Sequence, residues 1–116
     1  MSIPSGVTCL PVEAFDGCYS LESVDIPNTV TIIGRSAFYN CACLASVHIP
    51  GSVTFIGETA FAGCKSLVTC ENESEKVDIW CNSFAGCPLP IENGVRYVGK
   101  YAVDCDTLQR AWQARQ

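Results

Sequence analysis

One 23-residue period runs through most of this chain and limits what it can fold into more than any other feature. Ile3-Pro4 recurs as Ile26-Pro27 and Ile49-Pro50, and Ala14-Phe15 recurs as Ala37-Phe38, Ala60-Phe61 and, weakened, Ser83-Phe84. Cys18, Cys41, Cys64 and Cys87 keep the same step, as do Leu10, Ile33, Ile56 and Ile79. The unit reads L-x-x-V-x-I-P-x-x-V-T-x-I-G-x-x-A-F-x-x-C, as in Leu21 to Cys41 and Leu44 to Cys64. The spacing of Leu21, Val24 and Ile26 suits a short strand with Ser23 and Asp25 pointing away from the core, and the proline that follows ends the ladder. A single unit cannot bury its own apolar side. The units must therefore stack in parallel, each covering the next, and the expected architecture is a solenoid.

The columns carry a resemblance. The I-P, V-T-x-I-G, A-F and C-x-x-L signatures resemble the BspA-like, or Treponema pallidum-type, leucine-rich repeat over residues 1 to about 87. That resemblance implies a right-handed β/α superhelix with a parallel β-sheet on its concave face, formed by Leu21 to Ile26, Leu44 to Ile49 and Leu67 to Asn72. It also implies short helical or 3-10 turns in the connecting arms. Residues 1–87 are expected to hold three 23-residue repeats and a degenerate fourth, with no N-terminal cap, so the chain reads as a fragment of a longer array. In the fourth unit Asn72-Glu73 replaces I-P, Lys76 the valine, Trp80 the glycine and Pro90 the leucine, the decay expected of a terminal cap.

Residues 88–116 change pattern. Asn93-Gly94 is a type I′ turn signal, and Val95 and Tyr97 alternate with Arg96 before Tyr101 and Val103, which predicts a hairpin. Asp104 or Asp106 can cap a last helix carrying Leu108, Ala111, Trp112 and Arg115 on one face. A hairpin-helix cap on the open end of the last coil is the expectation.

Nine cysteines in 116 residues would ordinarily suggest a disulfide scaffold. The fixed register of Cys18, Cys41, Cys64 and Cys87 instead predicts a structural thiol ladder, buried and inert, that satisfies turn carbonyls. Strand spacing alone leaves a bridge between adjacent coils open, but not four in series. Cys9, Cys43, Cys70, Cys81 and Cys105 lie off this column, and Cys70 replaces a strand valine. No C-x-x-C occurs and His48 is the sole histidine, so no metal site and no cofactor are expected. Glu71, Glu73, Glu75 and Asp78 cluster where the repeat decays; without an Asp/Asn-Gly loop pattern they read as an irregular surface loop rather than a Ca²⁺ site. Asn72-Glu73-Ser74 matches a glycosylation sequon.

Twelve acidic residues against seven basic ones, with no Lys/Arg run, leave no counterion-release term for nucleic acid. No apolar run approaches the roughly 20 residues of a membrane span, and Met1-Ser2-Ile3-Pro4 has no signal-peptide pattern. A soluble chain, mature or truncated, is expected. A nucleophile paired with an oriented base is not evident, so an enzyme is the least expected class.

Two surfaces are candidates. Ser23, Ser46 and Thr69 form one concave-face column, and Asp25, His48 and Glu71 form the next. Together they read either as a site for a protein ligand with basic groups or as a solvated surface row. Cys9, Ile32 and Phe55 occupy the x of V-T-x-I-G, where the resemblance implies a polar residue; Ile32 and Phe55 are the candidate interface, or packing under the arm. The resemblance implies a surface-exposed or secreted adhesion module whose partner is a host matrix or cell-surface protein. The alternative is a self-assembly element, a homo-oligomer formed through the apolar column or the open solenoid end.

Overall fold

The computed structural model of the chain describes residues 3–74, 77–80, 82–89, 91–92, 95–98 and 101–102. The 23-residue columns become lateral neighbours in a parallel β-solenoid of about three turns. One sheet is formed by β2 (Ser23–Val24), β4 (Ser46–Ile49) and β6 (Thr69–Asn72), in that order and parallel. Its register runs Ser23↔Ser46↔Thr69 and His48↔Glu71, so residues one period apart stand side by side. The I-P step that follows turns the chain into a second parallel sheet of β1 (Cys9–Leu10), β3 (Ile32–Ile33), β5 (Phe55–Ile56) and β7 (Asp78–Ile79). Its register is Cys9↔Ile32↔Phe55↔Asp78. The sequence signalled only the first of these sheets.

Between the two sheets lies the core. Val24, Val47, Ile33, Ile56, Leu44 and Leu67 are all buried, as the column pattern requires. Beside them Phe15, Phe38, Phe61 and Phe84 form a continuous stack with ring centroids 5.2, 5.0 and 5.0 Å apart and interplanar angles of 11° or less. The repeat glycine is required by a close backbone approach. A Cβ on Gly34 would lie 2.6 Å from the Leu10 carbonyl oxygen, and one on Gly57 would lie 2.6 Å from the Arg35 nitrogen.

The arms correct one expectation. No helix or 3-10 segment forms among the described residues; the A-F segments are runs of single turns instead. The cause is where their amides go. Phe38 N donates to Ala60 O at 2.7 Å and Asn40 N to Ala62 O at 2.8 Å, so alternate arm amides bind the next coil rather than their own turn. Each arm also holds left-handed residues that interrupt any helical run: Glu13, Ser36, Thr59 and Asn82 at φ between 55° and 63°, and Gly17, Asn40, Gly63 and Gly86 four residues on. In the arms, donors point toward the following coil, whereas Gly34 N and Gly57 N in the second sheet donate back to Leu10 O and Ile33 O.

The decaying fourth unit fills its core from positions adjacent to the lost columns. Val77 and Leu89 are buried next to the sites where Lys76 and Pro90 break the pattern, and the Ser74 hydroxyl donates to Val53 O. Beyond it, β8 (Ile91–Glu92), β9 (Val95–Val98) and β10 (Tyr101–Ala102) pair antiparallel in the order β10-β9-β8. The expected last helix, with Leu108 and Trp112, lies outside the described residues. Among the described residues no helix is long and apolar enough to cross a membrane.

Candidate ligand-binding face of the first sheet

Alternation along β2, β4 and β6 sends Val24 and Val47 inward and leaves Ser23, Ser46 and Thr69 exposed on the other side. Asp25 continues this exposed face after β2, while His48 and Glu71 continue it within β4 and β6. Ser23, Asp25, Ser46, His48, Thr69 and Glu71, all six of the side chains singled out in the sequence, line one shallow depression of about 190 Å³ floored by Val24 and Val47.

His48 is the electrostatic centre of this face. Its Nδ1 lies 3.4 Å from Glu71 Oε2 and its Nε2 lies 3.3 Å from Glu73 Oε2. A neutral imidazole carries one N–H, so only the imidazolium can donate to both carboxylates at once. The pairs are open to solvent and contribute little to stability. Glu73 was not recognised as part of this face, because it stands in the column of Pro27 and Pro50 and reads as a loop residue. The available signal was the two-residue step from Glu71, which keeps it on the same side of an extended strand. Among the described residues no group of three or more His, Cys, Asp or Glu side chains is arranged to hold a metal ion.

The second surface is the outward side of β1-β3-β5-β7. Ile32 is 39% exposed, Phe55 is half-buried, and Trp80 sits edge-on to Phe55 with ring centroids 5.9 Å apart. Trp80 occupies the column of Gly34 and Gly57, and its contact with Phe55 was not foreseen.

The cysteine column lies away from both surfaces. Cys41 Sγ donates to Phe15 O and Cys64 Sγ to Phe38 O, each at 3.2 Å, and Cys87 Sγ donates to Phe61 O at 2.9 Å. Burial pushes the Cys41 thiol up to about 12. Cys64 is raised further, first by its hydrogen bond with Cys87 and then by burial. Burial, and then the Glu71 carboxylate, pushes Cys70 up to about 12. Cys18 is half-buried, Cys9 and Cys43 are exposed, and Cys81 and Cys105 lie outside the described residues.

The profile of the BspA type leucine-rich repeat region matches residues 1–106 in six copies. This chain belongs to the BspA-type leucine-rich repeat family. The family match extends past Cys87 into the paired strands β8, β9 and β10. Three solved leucine-rich repeat structures are similar to it. A leucine-rich cell surface protein from Faecalibacterium prausnitzii A2-165 is 44% identical over 64% of this chain and 19% of its own, with a TM-score of 0.62. A leucine-rich repeat protein from Bacteroides ovatus ATCC 8483 is 36% identical over 71% of this chain and 21% of its own, with a TM-score of 0.67. The leucine-rich repeat protein of T. pallidum is 27% identical over 97% of this chain and 56% of its own, with a TM-score of 0.60. This leucine-rich repeat chain thus spans about a fifth of the first two relatives and little more than half of the third. No curated protein matches it.

Proposed function

We propose that this chain is a non-catalytic ligand-binding part of a surface-exposed or secreted leucine-rich repeat protein, and that the outward face of the first sheet receives basic side chains of a protein ligand. The convergence of Ser23, Asp25, Ser46, His48, Thr69 and Glu71 on one depression carries this reading. Carboxylates of Asp25, Glu71 and Glu73 give the face its charge, and the hydroxyls of Ser23, Ser46 and Thr69 supply both donors and acceptors. A lysine or arginine laid along the row meets an acid on the first and third strands, with His48 on the middle strand between them. The cell-surface relative from F. prausnitzii supports an extracellular setting, and adhesion to host matrix or cell-surface proteins is the corresponding role.

The test is binding of the protein to a panel of purified matrix and cell-surface proteins, run beside the Asp25→Ala/His48→Ala/Glu71→Ala triple variant. Saturable binding to one panel member that the triple variant loses, with unchanged circular dichroism, supports the reading. Equal binding by both proteins refutes this face as the recognition surface.

A further inference from the structure

We propose that the outward face of the second sheet docks a protein partner through an arginine side chain, seated where Phe55, Asp78 and Trp80 meet. This face is distinct from the proposed ligand-binding one, and the inference stands whether or not that reading holds.

The outward column of this sheet changes chemistry from coil to coil. Ile32, Phe55 and Asp78 pair in register on β3, β5 and β7, so an aliphatic, an aromatic and an acidic residue stand side by side at the strand spacing of about 4.8 Å. Their neighbours Ile33 and Ile56 are buried and Ile79 is half-buried, whereas Ile32 and Asp78 are exposed and Phe55 is half-buried, so the column points outward. Trp80 follows Asp78 by two residues. Its N donates to Ile56 O at 3.0 Å, which continues the ladder and keeps its side chain on the same side as Asp78. The matching position one coil earlier is Gly57, which contributes no side chain there. The Trp80 ring meets Phe55 edge-on and is still half exposed. An accessible indole and a carboxylate are thus fixed beside each other. Both ion pairs among the described residues belong to His48, so no described cation is paired with Asp78.

This combination selects a guanidinium. The group is planar and can lay one face on the indole while two N–H groups along its edge donate to the carboxylate. A lysine ammonium is a strongly hydrated point charge with no plane to stack, and it gains less from the same corner. The exposed Asp78 and the chain's net charge of −5 repel an acidic partner and steer a basic one inward. Ile32 and Phe55 then offer apolar surface to the residues that flank the arginine. That pairing of an aromatic-arginine anchor with apolar surroundings is the anatomy of a protein interface.

The experiment is a titration of the whole isotope-labelled chain with the capped peptide acetyl-Leu-Arg-Leu-amide, read by NMR from the indole N–H signals of Trp80 and Trp112. Trp80 is assigned by the signal that Trp80→Phe loses. The expected result is a saturable shift of the Trp80 signal. Replacing the arginine by its neutral isostere citrulline should weaken binding by about tenfold, as should Asp78→Asn in the protein, since each removes the charge-assisted pair. Lysine in place of arginine should weaken it by about threefold or more. Argininamide, which lacks the flanking leucines, should bind about tenfold more weakly than the peptide. A Trp80 signal that does not move overturns the proposal, as does equal binding of the arginine peptide and any of citrulline peptide, lysine peptide or argininamide. A folded Asp78→Asn protein that binds as wild type also overturns it. Should that variant unfold, the ligand series still decides the matter, because it uses the unaltered protein.

Discussion

Replacing Phe61 by alanine tests how the coils hold each other. Phe61 is fully buried and stacks on Phe38 and Phe84, both at 5.0 Å, whereas Phe15 stacks on Phe38 alone and is partly exposed. Truncating a fully buried phenylalanine removes its transfer free energy and leaves a cavity, at a cost of about 3–5 kcal/mol. Phe15→Ala loses one stacking partner and less burial, so its expected cost is about 2 kcal/mol. Phe61→Leu keeps most of the volume and gives up the stacking, which should cost about 1 kcal/mol. Urea unfolding followed by far-UV circular dichroism measures all three, with equal slopes required before midpoints are compared. Each coil touches only its neighbours, so the loss should scale with how many of them the ring contacts. Equal losses for Phe15→Ala and Phe61→Ala would refute the view that the aromatic stack is a nearest-neighbour tie.

The repeat glycines give a second test. Gly57→Ala places a Cβ 2.6 Å from the Arg35 nitrogen and 2.9 Å from its Cα, backbone atoms that cannot swing aside, and should cost about 1–3 kcal/mol in urea unfolding. Gly51→Ala meets nothing closer than the Glu73 carbonyl oxygen at 3.7 Å and should change stability by less than about 0.5 kcal/mol. The thiols make stability pH-dependent on the alkaline side. Cys41 and Cys70 rise from 9.0 to about 12 on folding, so the unfolded chain releases their protons first. Their contribution is complete below pH 9.0 and is lost as pH rises toward about 12, visible as a falling urea midpoint. Under native conditions near neutral pH a thiol reagent should label Cys9 and Cys43 while sparing Cys41, Cys64 and Cys70; mass spectrometry of the labelled peptides reads the outcome.

The repeat phase made much of this legible. Once residues 23 apart are assigned to adjacent coils, Ser23, Ser46 and Thr69 must be neighbours, as must His48 and Glu71, and the depression they line follows from strand alternation. The second sheet was harder to see. Val30, Ile33, Gly34, Ala37 and Phe38 are buried at i, i+3, i+4, i+7 and i+8 with Thr31 and Ile32 exposed between the first two, a spacing that reads as helical and hides the two-residue strand. The arms misled for a related reason. Glu13, Ser36 and Thr59 take left-handed backbone angles that their residue types do not announce; the Gly17, Asn40, Gly63 and Gly86 column, also left-handed, was the available signal and was not read. Glu73 and Trp80 were obscured because each replaces a residue with a backbone role, proline or glycine, and so reads as decay rather than as a side chain with a partner.

The one-way run of arm hydrogen bonds also makes the solenoid's two ends unlike. Glu13, Phe15 and Gly17 donate forward to the carbonyls of Arg35, Ala37 and Tyr39, so the equivalent carbonyls of Val12, Ala14 and Asp16 are acceptors on the leading face. In the arms, two leading faces brought together would set acceptor against acceptor, whereas a trailing face meets a leading face with donors on acceptors. The same asymmetry constrains how such a gene can change length. Duplicating or excising a segment of 23 codons leaves every donor above an acceptor, while any other length shifts the arms out of register with the coil beneath.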